Sequence, residues 1–121
     1  MRSLLVVAAL SIVGACSLTG CLDTQTCTTE FRYGVSATVR NTRDGSPVVG
    51  ATLLLVDGSY RETMSAFGIP GSYAGAGERA GTYTLSVAAP GFASPAPRTL
   101  VVAGGECHVN GVPVTIDLPP L

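Results

Sequence analysis

The sequence predicts an all-β fold, a single β-sandwich of about seven strands, on three observations. Apolar and polar residues alternate with a period of two in several short segments, which is typical of strands with one buried face. Asp-Gly pairs and other Gly and Pro residues separate these segments at short intervals. No segment after residue 20 shows the periodicity of an amphipathic helix. Short strands joined by frequent turns favour a sandwich.

The alternation sets the predicted strands. In chain order they are 35–40, 51–56, 60–67, 73–76, 82–88, 99–103 and 107–118. The clearest is 82–88, where Tyr83, Leu85 and Val87 face one side and Thr and Ser residues face the other. Turns are predicted at 43–47 and at Asp57-Gly58.

The last two strands are predicted to be joined by a hairpin loop at 104–106. Along 107–118 the apolar residues change from odd to even positions, and one extra residue at Asn110-Gly111 restores a single inward face. We therefore predict a β-bulge there, with Pro113 facing outward on an edge strand.

Residues 1–20 have the pattern of a signal peptide. Arg2 is the only charge before Asp23, and residues 4–15 form an apolar stretch that only Ser11 interrupts. This stretch has the length of a signal-peptide core, about 7–15 residues, and is shorter than the roughly 20 residues needed to cross a bilayer. A transmembrane anchor is the alternative, and it requires the small and polar residues 16–21 to be part of the span.

Leu18-Thr19-Gly20-Cys21 resembles the lipobox of bacterial lipoproteins, which is an aliphatic residue and two small residues before a cysteine. The resemblance implies that Cys21 receives a diacylglyceryl group, that the chain is cut before it, and that the new amino group is acylated, for example with palmitate. Several chains make such an anchor stable, because one acyl chain holds only marginally. The alternatives are a second box ending at Cys16 and an ordinary secreted protein with a spare cysteine.

The lipobox resemblance also sets the organisation and location of the protein. It implies a signal peptide at 1–20 and a lipidated tether at 21–30, which leaves 31–119 for the β-sandwich domain. It also implies that the protein is held on a membrane of the bacterial cell envelope and faces the periplasm or the exterior. Cleavage before Cys21 removes Cys16 and leaves Cys27 and Cys107 as the remaining thiols. Because export places them in an oxidising compartment, we expect a Cys27–Cys107 disulfide.

The body of the chain resembles the carboxypeptidase regulatory-like domain. The resemblance is carried by residues 35–40, by the turn 44–51 with its Pro47-Val48-Val49-Gly50-Ala51, and by 75–92, which contains G-T-Y-T-L-S-V-A-A-P-G-F. It implies a transthyretin-like (prealbumin-like) sandwich whose terminal strands lie close together, so that Cys27 and Cys107 come within reach of each other. Cys107-His108-Val109 before a final strand also resembles a group of small bacterial lipoproteins that carry this domain.

Charge and motif patterns exclude several functions. The chain has seven Arg, no Lys and eight acidic residues, so it lacks the basic patch that a nucleic-acid partner needs. Residues 75–80 match G-x-G-x-x-A, but a β-patterned run follows where a dinucleotide site needs a helix. We interpret this segment as a flexible inter-strand loop, and we expect no cofactor, no metal and no small-molecule substrate.

His108 is the only histidine, and no G-x-S-x-G elbow accompanies it. The transthyretin-like hydrolases of 5-hydroxyisourate end in Tyr-Arg-Gly-Ser and use several histidines, whereas this chain ends in Leu118-Pro119-Pro120-Leu121. A zinc site of Cys27, Cys107 and His108 is disfavoured, because neighbours on a strand point to opposite faces. We therefore expect no enzyme, and a partly exposed strand histidine at 108.

Four residues are candidates for a partner surface. Glu78 and Arg79 are adjacent charges in a Gly-rich loop, with a solvated loop as the simpler interpretation. Leu54 and Val56 face outward if Leu53 and Leu55 fill the core, which leaves an apolar stripe unless a loop covers it. The sequence thus predicts an accessory or binding module for protein or glycan. The alternatives are a small secreted enzyme that uses His108 and a purely structural spacer.

Overall fold

The computed structural model describes residues 27–121, so the predicted signal peptide and Cys21 lie outside the described residues. All regular elements in this range are β-strands, and the range contains no helix long and apolar enough to cross a membrane. The strands are β1 (Tyr33–Asn41), β2 (Thr52–Asp57), β3 (Tyr60–Thr63), β4 (Ser65–Ala66), β5 (Ser72–Gly77), β6 (Gly81–Ala88), β7 (Arg98–Val102) and β8 (Val112–Leu118).

The strands form two four-stranded sheets that enclose one hydrophobic core. Sheet 1 has the order β4-β5-β1-β8, and sheet 2 has the order β3-β2-β6-β7. The first and last strands, β1 and β8, are parallel neighbours, and the other described pairs are antiparallel. The predicted all-β, two-sheet architecture is confirmed, with eight strands in the described range where about seven were predicted.

The apolar residues of the alternating pattern form the inner faces of the two sheets. In β1, Val35 and Val39 are fully buried, while the residues between them are exposed or very small. In β6, Tyr83 and Leu85 are buried opposite them. Each such side chain gains about 1.5–3 kcal/mol on leaving water, so the period-two pattern determines which face of each strand turns inward.

The predicted strand 60–67 is wrong in one respect, because it is two strands in two different sheets. β3 pairs with β2 in sheet 2, and β4 pairs with β5 in sheet 1. Met64 lies between them, buried in the core, and its backbone N–H donates to the Leu53 carbonyl at 2.8 Å. A buried apolar residue at the crossing lets the chain change sheets without exposing the core.

The predicted hairpin between the last two strands is present only as a local turn. The Gly105 N–H donates to the His108 carbonyl at 2.8 Å and the Asn110 N–H to the Ala103 carbonyl at 2.9 Å, yet β7 and β8 belong to different sheets. The bulge predicted at Asn110-Gly111 is therefore wrong: these residues lie outside any strand, and β8 starts at Val112. Pro113 is exposed on an edge strand, as predicted.

The connections gather at the two ends of the sandwich. One end, called the Cys27 end, holds the start of the described chain, the β2–β3 turn at 58–59, the β5–β6 turn at 78–80 and the β7–β8 loop at 103–111. The other end, called the distal end, holds the loops 42–51 and 89–97 and the C-terminal residues. Paired charged side chains at the Cys27 end join these connections to one another.

The disulfide predicted between Cys27 and Cys107 is confirmed. Their Cα atoms are 5.2 Å apart, within the roughly 4.4–6.8 Å that disulfides span. The bond joins residues 80 positions apart and ties the start of the described chain to the β7–β8 loop.

Removing this bond should destabilise the fold strongly. A crosslink that closes a loop of about 80 residues contributes roughly 4–5 kcal/mol in the chain-entropy estimate, which is an upper figure. We expect the double variant Cys27→Ser/Cys107→Ser to unfold at a clearly lower urea concentration than the oxidised wild type. Reductant should shift the wild type in the same way and leave the double variant unchanged. Equal midpoints for the variant and the oxidised wild type would contradict this expectation.

Candidate functional site

The charged and titratable residues that the sequence singled out lie together at the Cys27 end. They form two neighbouring clusters on either side of the β5–β6 turn. The Glu78 cluster contains Thr28, Arg32, Glu78, His108 and Val109. The Arg79 cluster contains Asp57, Tyr60, Glu62, Arg79 and Tyr83.

The β5–β6 turn separates the two clusters. β5 continues to Gly77 and β6 begins at Gly81, so the connection is the three residues 78–80, and the first part of the loop predicted at 75–80 belongs to β5. Ala76 and Glu78 both have left-handed backbone conformations, with φ of 55° and 48°. Such conformations cost roughly 1–3 kcal/mol each for non-glycine residues and persist where the surroundings impose them. They direct the consecutive side chains of Glu78 and Arg79 to different partners.

Glu78 joins three separate parts of the chain. Its Oε2 accepts from the backbone N–H of Arg32 at 3.0 Å, and its Oε1 accepts from the backbone N–H of Val109 at 3.3 Å. Its Oε2 also contacts Nδ1 of His108. The carboxylate thereby ties the N-terminal segment and the β7–β8 loop to the β5–β6 turn.

His108 lies between a carboxylate and a hydroxyl. Because an ionised carboxylate only accepts hydrogen bonds, Nδ1 is the donor to Glu78. Nε2 lies 2.9 Å from Oγ1 of Thr28, and in the neutral ring it accepts from that hydroxyl. The prediction of a strand histidine is wrong: His108 lies in the β7–β8 loop, where its side chain is only 14% exposed.

The partners of Glu78 favour its ionised form. The hydrogen bond from His108 lowers the pKa of Glu78, and partial loss of hydration opposes this effect. The N–H groups of Arg32 and Val109 lower the pKa further. Hydrogen bonds to the charged form of a carboxyl group have this sign in general.

The order hydroxyl, imidazole, carboxylate is also that of a nucleophile, its general base and an orienting acid. Acyl transfer additionally needs N–H donors aimed at the developing oxyanion. The N–H groups of Arg32 and Val109 instead bind the Glu78 carboxylate. The arrangement thus resembles catalytic machinery in its order of groups, while its measured contacts hold the N-terminal segment against the fold.

The Arg79 side chain contacts other residues of the same domain. Its guanidinium lies 3.7 Å from the centre of the Tyr60 ring and donates through one nitrogen to Oδ2 of Asp57 and to the Tyr83 hydroxyl, both at 3.0 Å. The Tyr83 hydroxyl donates in turn to the Arg79 carbonyl at 2.7 Å. These hydrogen bonds, with that to Tyr83 the largest influence, raise the pKa of Arg79.

Tyr60 and Glu62 extend this cluster to the other sheet. The Tyr60 hydroxyl donates to Oε1 of Glu62 at 2.7 Å, and the same oxygen accepts from the Ala76 N–H at 2.9 Å. This bond to Glu62 is the main reason that the pKa of Tyr60 is raised. The sequence analysis missed both residues, although their period-two spacing on β3 places them on one face.

Leu54 and Val56 lie away from these clusters, on the outer face of sheet 2. Both alternate with buried residues and are half-buried themselves. Leu54 lines an open groove of about 390 Å³ with Thr52, Ser86, Pro95 and Pro97, so the loop 89–97 covers it in part. Val56 lies opposite Arg61 and Thr84 on the neighbouring strands. The four predicted surface residues therefore do not form one patch.

The alternative of a zinc site at Cys27, Cys107 and His108 receives no support. The two sulfur atoms are bonded to each other, so neither is the thiolate that zinc needs. Within residues 27–121, no group of three or more His, Cys, Asp or Glu side chains is placed to hold a metal ion.

An aromatic cluster that the sequence analysis also missed lies on the outer side of sheet 1. The ring of Tyr33 packs edge to face against Phe31 on one side and Phe67 on the other, with 5.1 Å between ring centres in each pair. The Phe31 ring lies over Gly77, where a Cβ atom would collide with it. Phe31 is 59% exposed and Phe67 is 56% exposed. The spacing of Phe31 and Tyr33 just before a strand was a usable signal, whereas Phe67 joins them only in the fold.

No protein-family model matches this chain, and no curated protein matches its sequence.

The pKa of Glu78 predicts how stability depends on pH. Because the folded-state pKa is depressed, the stabilisation is present above the ordinary glutamate pKa of about 4.3 and is lost as the pH falls through the lower folded-state value. We expect Glu78→Gln to be less stable than the wild type at pH 7 and this difference to shrink below about pH 4. Urea unfolding across pH measures it.

Glu106→Gln is the matched control, because Glu106 is exposed on the β7–β8 loop. It should leave the dependence on pH close to that of the wild type. A Glu78→Gln difference that stays constant between pH 7 and pH 3 would show that the charge of Glu78 does not act as described.

Proposed function

We propose that this chain is a lipid-anchored, non-catalytic β-sandwich of the bacterial cell envelope that acts as an accessory or binding module for protein or glycan. Its anchor is Cys21, preceded by a signal peptide at 1–20 and followed by the tether at 21–30. Its domain belongs to the carboxypeptidase regulatory-like group, with a transthyretin-like sandwich. The domain faces the periplasm or the exterior.

The observation that carries this proposal is the Cys27–Cys107 disulfide. Disulfides persist in oxidising compartments, so the bond supports export of the chain. It also accounts for both cysteines after position 21 and leaves Cys21 as the cysteine of the Leu18-Thr19-Gly20-Cys21 pattern.

The domain assignment draws support from the two four-stranded sheets and from the position of the resembling segments in them. The segment 82–88 that carries much of the resemblance lies in β6, at the centre of sheet 2. The adjacent pair β1 and β8 brings the two ends of the domain together, in keeping with the closeness of terminal strands that the resemblance implies.

The binding role rests on the groove beside Leu54. It opens toward the distal end and is lined by small, apolar and hydroxyl-bearing side chains, a composition that suits an apolar side chain of a partner or one face of a sugar. Glu78 and Arg79 are engaged in internal hydrogen bonds, so the partner surface is assigned to Leu54 and its neighbours rather than to the charged pair.

Lipid anchoring predicts the behaviour of Cys21→Ser. Without the thiol, the diacylglyceryl group has no attachment point, so we expect the variant to be released from membranes or to keep its signal peptide. Fractionation of cells that express the full chain, followed by mass determination, measures both outcomes. Cys16→Ser is the matched control and should remain processed and membrane-bound. A Cys21→Ser protein that is processed and membrane-bound like the wild type would contradict the anchor.

A photo-crosslinking residue tests the binding role in intact cells. Thr52 and Thr82 are both exposed and both lie on the outer face of sheet 2, but only Thr52 lines the groove. We expect a discrete crosslinked species from position 52 and none from position 82, separated by electrophoresis and identified by mass spectrometry. No product at either position would favour a structural spacer.

A second candidate function, a small secreted hydrolase, is favoured by the Thr28–His108–Glu78 contacts alone. In that case Thr28 is the nucleophile and His108 its general base. A fluorophosphonate probe should then label the wild type and fail to label Thr28→Val and His108→Ala. Because we propose a non-catalytic domain, we expect no labelling of the folded wild type.

A further inference from the structure

We propose that the aromatic cluster Phe31–Tyr33–Phe67 lies in the interface of the membrane that anchors the protein, so that the domain rests on the lipid surface with the outer face of sheet 1. This inference rests on the proposed lipid anchor at Cys21 and adds an orientation to it. The lipid interface is the single occupant that we assign to this surface.

The first argument is the length and position of the chain outside the structure. Cys27 lies six positions after Cys21, and the Cys27–Cys107 bond fixes it on the domain. A fully extended chain of six residues spans about 20 Å, so a lipid at Cys21 keeps the Cys27 end close to the membrane. Phe31 is only four residues beyond Cys27, and its ring is fixed over Gly77.

The second argument is the chemistry of the cluster. Phe31 and Phe67 each keep more than half of their surface exposed, and Tyr33 lies half-buried between them. Tyrosine is enriched at membrane–water interfaces, where an apolar body and a polar tip are both accommodated, and phenylalanine is common on the buried face of interfacial helices. The Tyr33 hydroxyl supplies the polar tip, and the two phenylalanine rings supply the apolar area.

The third argument is charge. Arg32, next to the cluster, is paired with Glu30, with 3.1 Å between their nearest nitrogen and oxygen atoms. On the same face of sheet 1, Arg40 is paired with Asp117 at 3.4 Å. Because each of these arginines is paired with a carboxylate, the two pairs add no net charge to the outer face of sheet 1. Anionic lipids are therefore not repelled by these pairs, and contact with the membrane does not require them.

Because the tether is short, a surface with only weak affinity for lipid is enough to keep the domain in contact with the bilayer. Once the lipid is inserted, contact between the cluster and the bilayer is an intramolecular event at a high effective concentration. Exposed aromatic area that is costly in water then finds an apolar environment without any protein partner. The groove beside Leu54, on the outer face of the opposite sheet, consequently points away from the membrane.

The test uses tryptophan as a depth reporter, because the chain contains none. Full-length lipidated Phe31→Trp and Phe67→Trp are reconstituted into vesicles whose phospholipids carry bromine on the acyl chains, and into unbrominated vesicles. Val101→Trp is the matched control, because Val101 is 63% exposed on the outer face of sheet 2. Thermal unfolding checks that all three variants are folded.

We expect both cluster reporters to emit at shorter wavelength in vesicles and to be quenched by brominated lipid severalfold more strongly than Val101→Trp. Equal quenching at the three positions, or none in vesicle-bound protein, overturns the orientation and leaves the anchor standing. A wavelength shift that appears without vesicles and grows with protein concentration assigns the cluster to self-association and also overturns it. Protein that fails to float with the vesicles overturns the anchor, and the orientation with it.

Discussion

The Cys27–Cys107 bond is the constraint on which the organisation of this domain depends. It fixes the first described residue against the β7–β8 loop, and the following residues are thereby held within reach of the β5–β6 turn. Thr28 then meets His108, and the Arg32 backbone meets Glu78. The same bond sets where residue 27 lies on the domain, and so which faces of the sandwich would be near a membrane under the proposed anchor at Cys21.

The polar groups at the Cys27 end form hydrogen bonds and ion pairs with one another. No side-chain nitrogen or oxygen that is buried within residues 27–121 lacks a hydrogen-bond partner. Arg79 connects the β5–β6 turn to Asp57 at the end of β2, and Glu62 connects β3 to β5 in the other sheet. Fully paired polar networks of this kind rigidify a structure. The groove beside Leu54 and the aromatic cluster lie outside these polar clusters.

The sequence predicts those parts of the fold that depend on local pattern. β6 alternates along its length and β1 alternates from Val35 onward, so the sequence predicts the inner residues of both strands. The disulfide could be predicted by counting the cysteines that remain if the chain is cut before Cys21, which requires no knowledge of distances. The change of sheet at Met64 was missed because a buried residue at a crossing has the same local pattern as one within a strand.

The missed parts of the site depend on contacts between distant residues. Thr28 and His108 are 80 residues apart, and Glu78 and His108 are 30 apart, so no local motif signals their meeting. Cys107 and His108 were assigned to a strand from their apolar neighbours, but β7 and β8 belong to different sheets and no strand partner lies beside them. Phe67 joins the aromatic cluster only because β4 lies at the edge of sheet 1.

The most direct test of the central claim is the intact mass of the protein extracted from membranes without reductant. A lipid-anchored, disulfide-bonded domain that starts at Cys21 should carry a diacylglyceryl group on the thiol and an acyl chain on the amino group, each in place of one hydrogen. It should also be lighter by the two hydrogen atoms lost in the disulfide. Reduction should restore those two hydrogens and expose Cys27 and Cys107 to alkylation. A mass without lipid, or two cysteines that are alkylated before reduction, would contradict it.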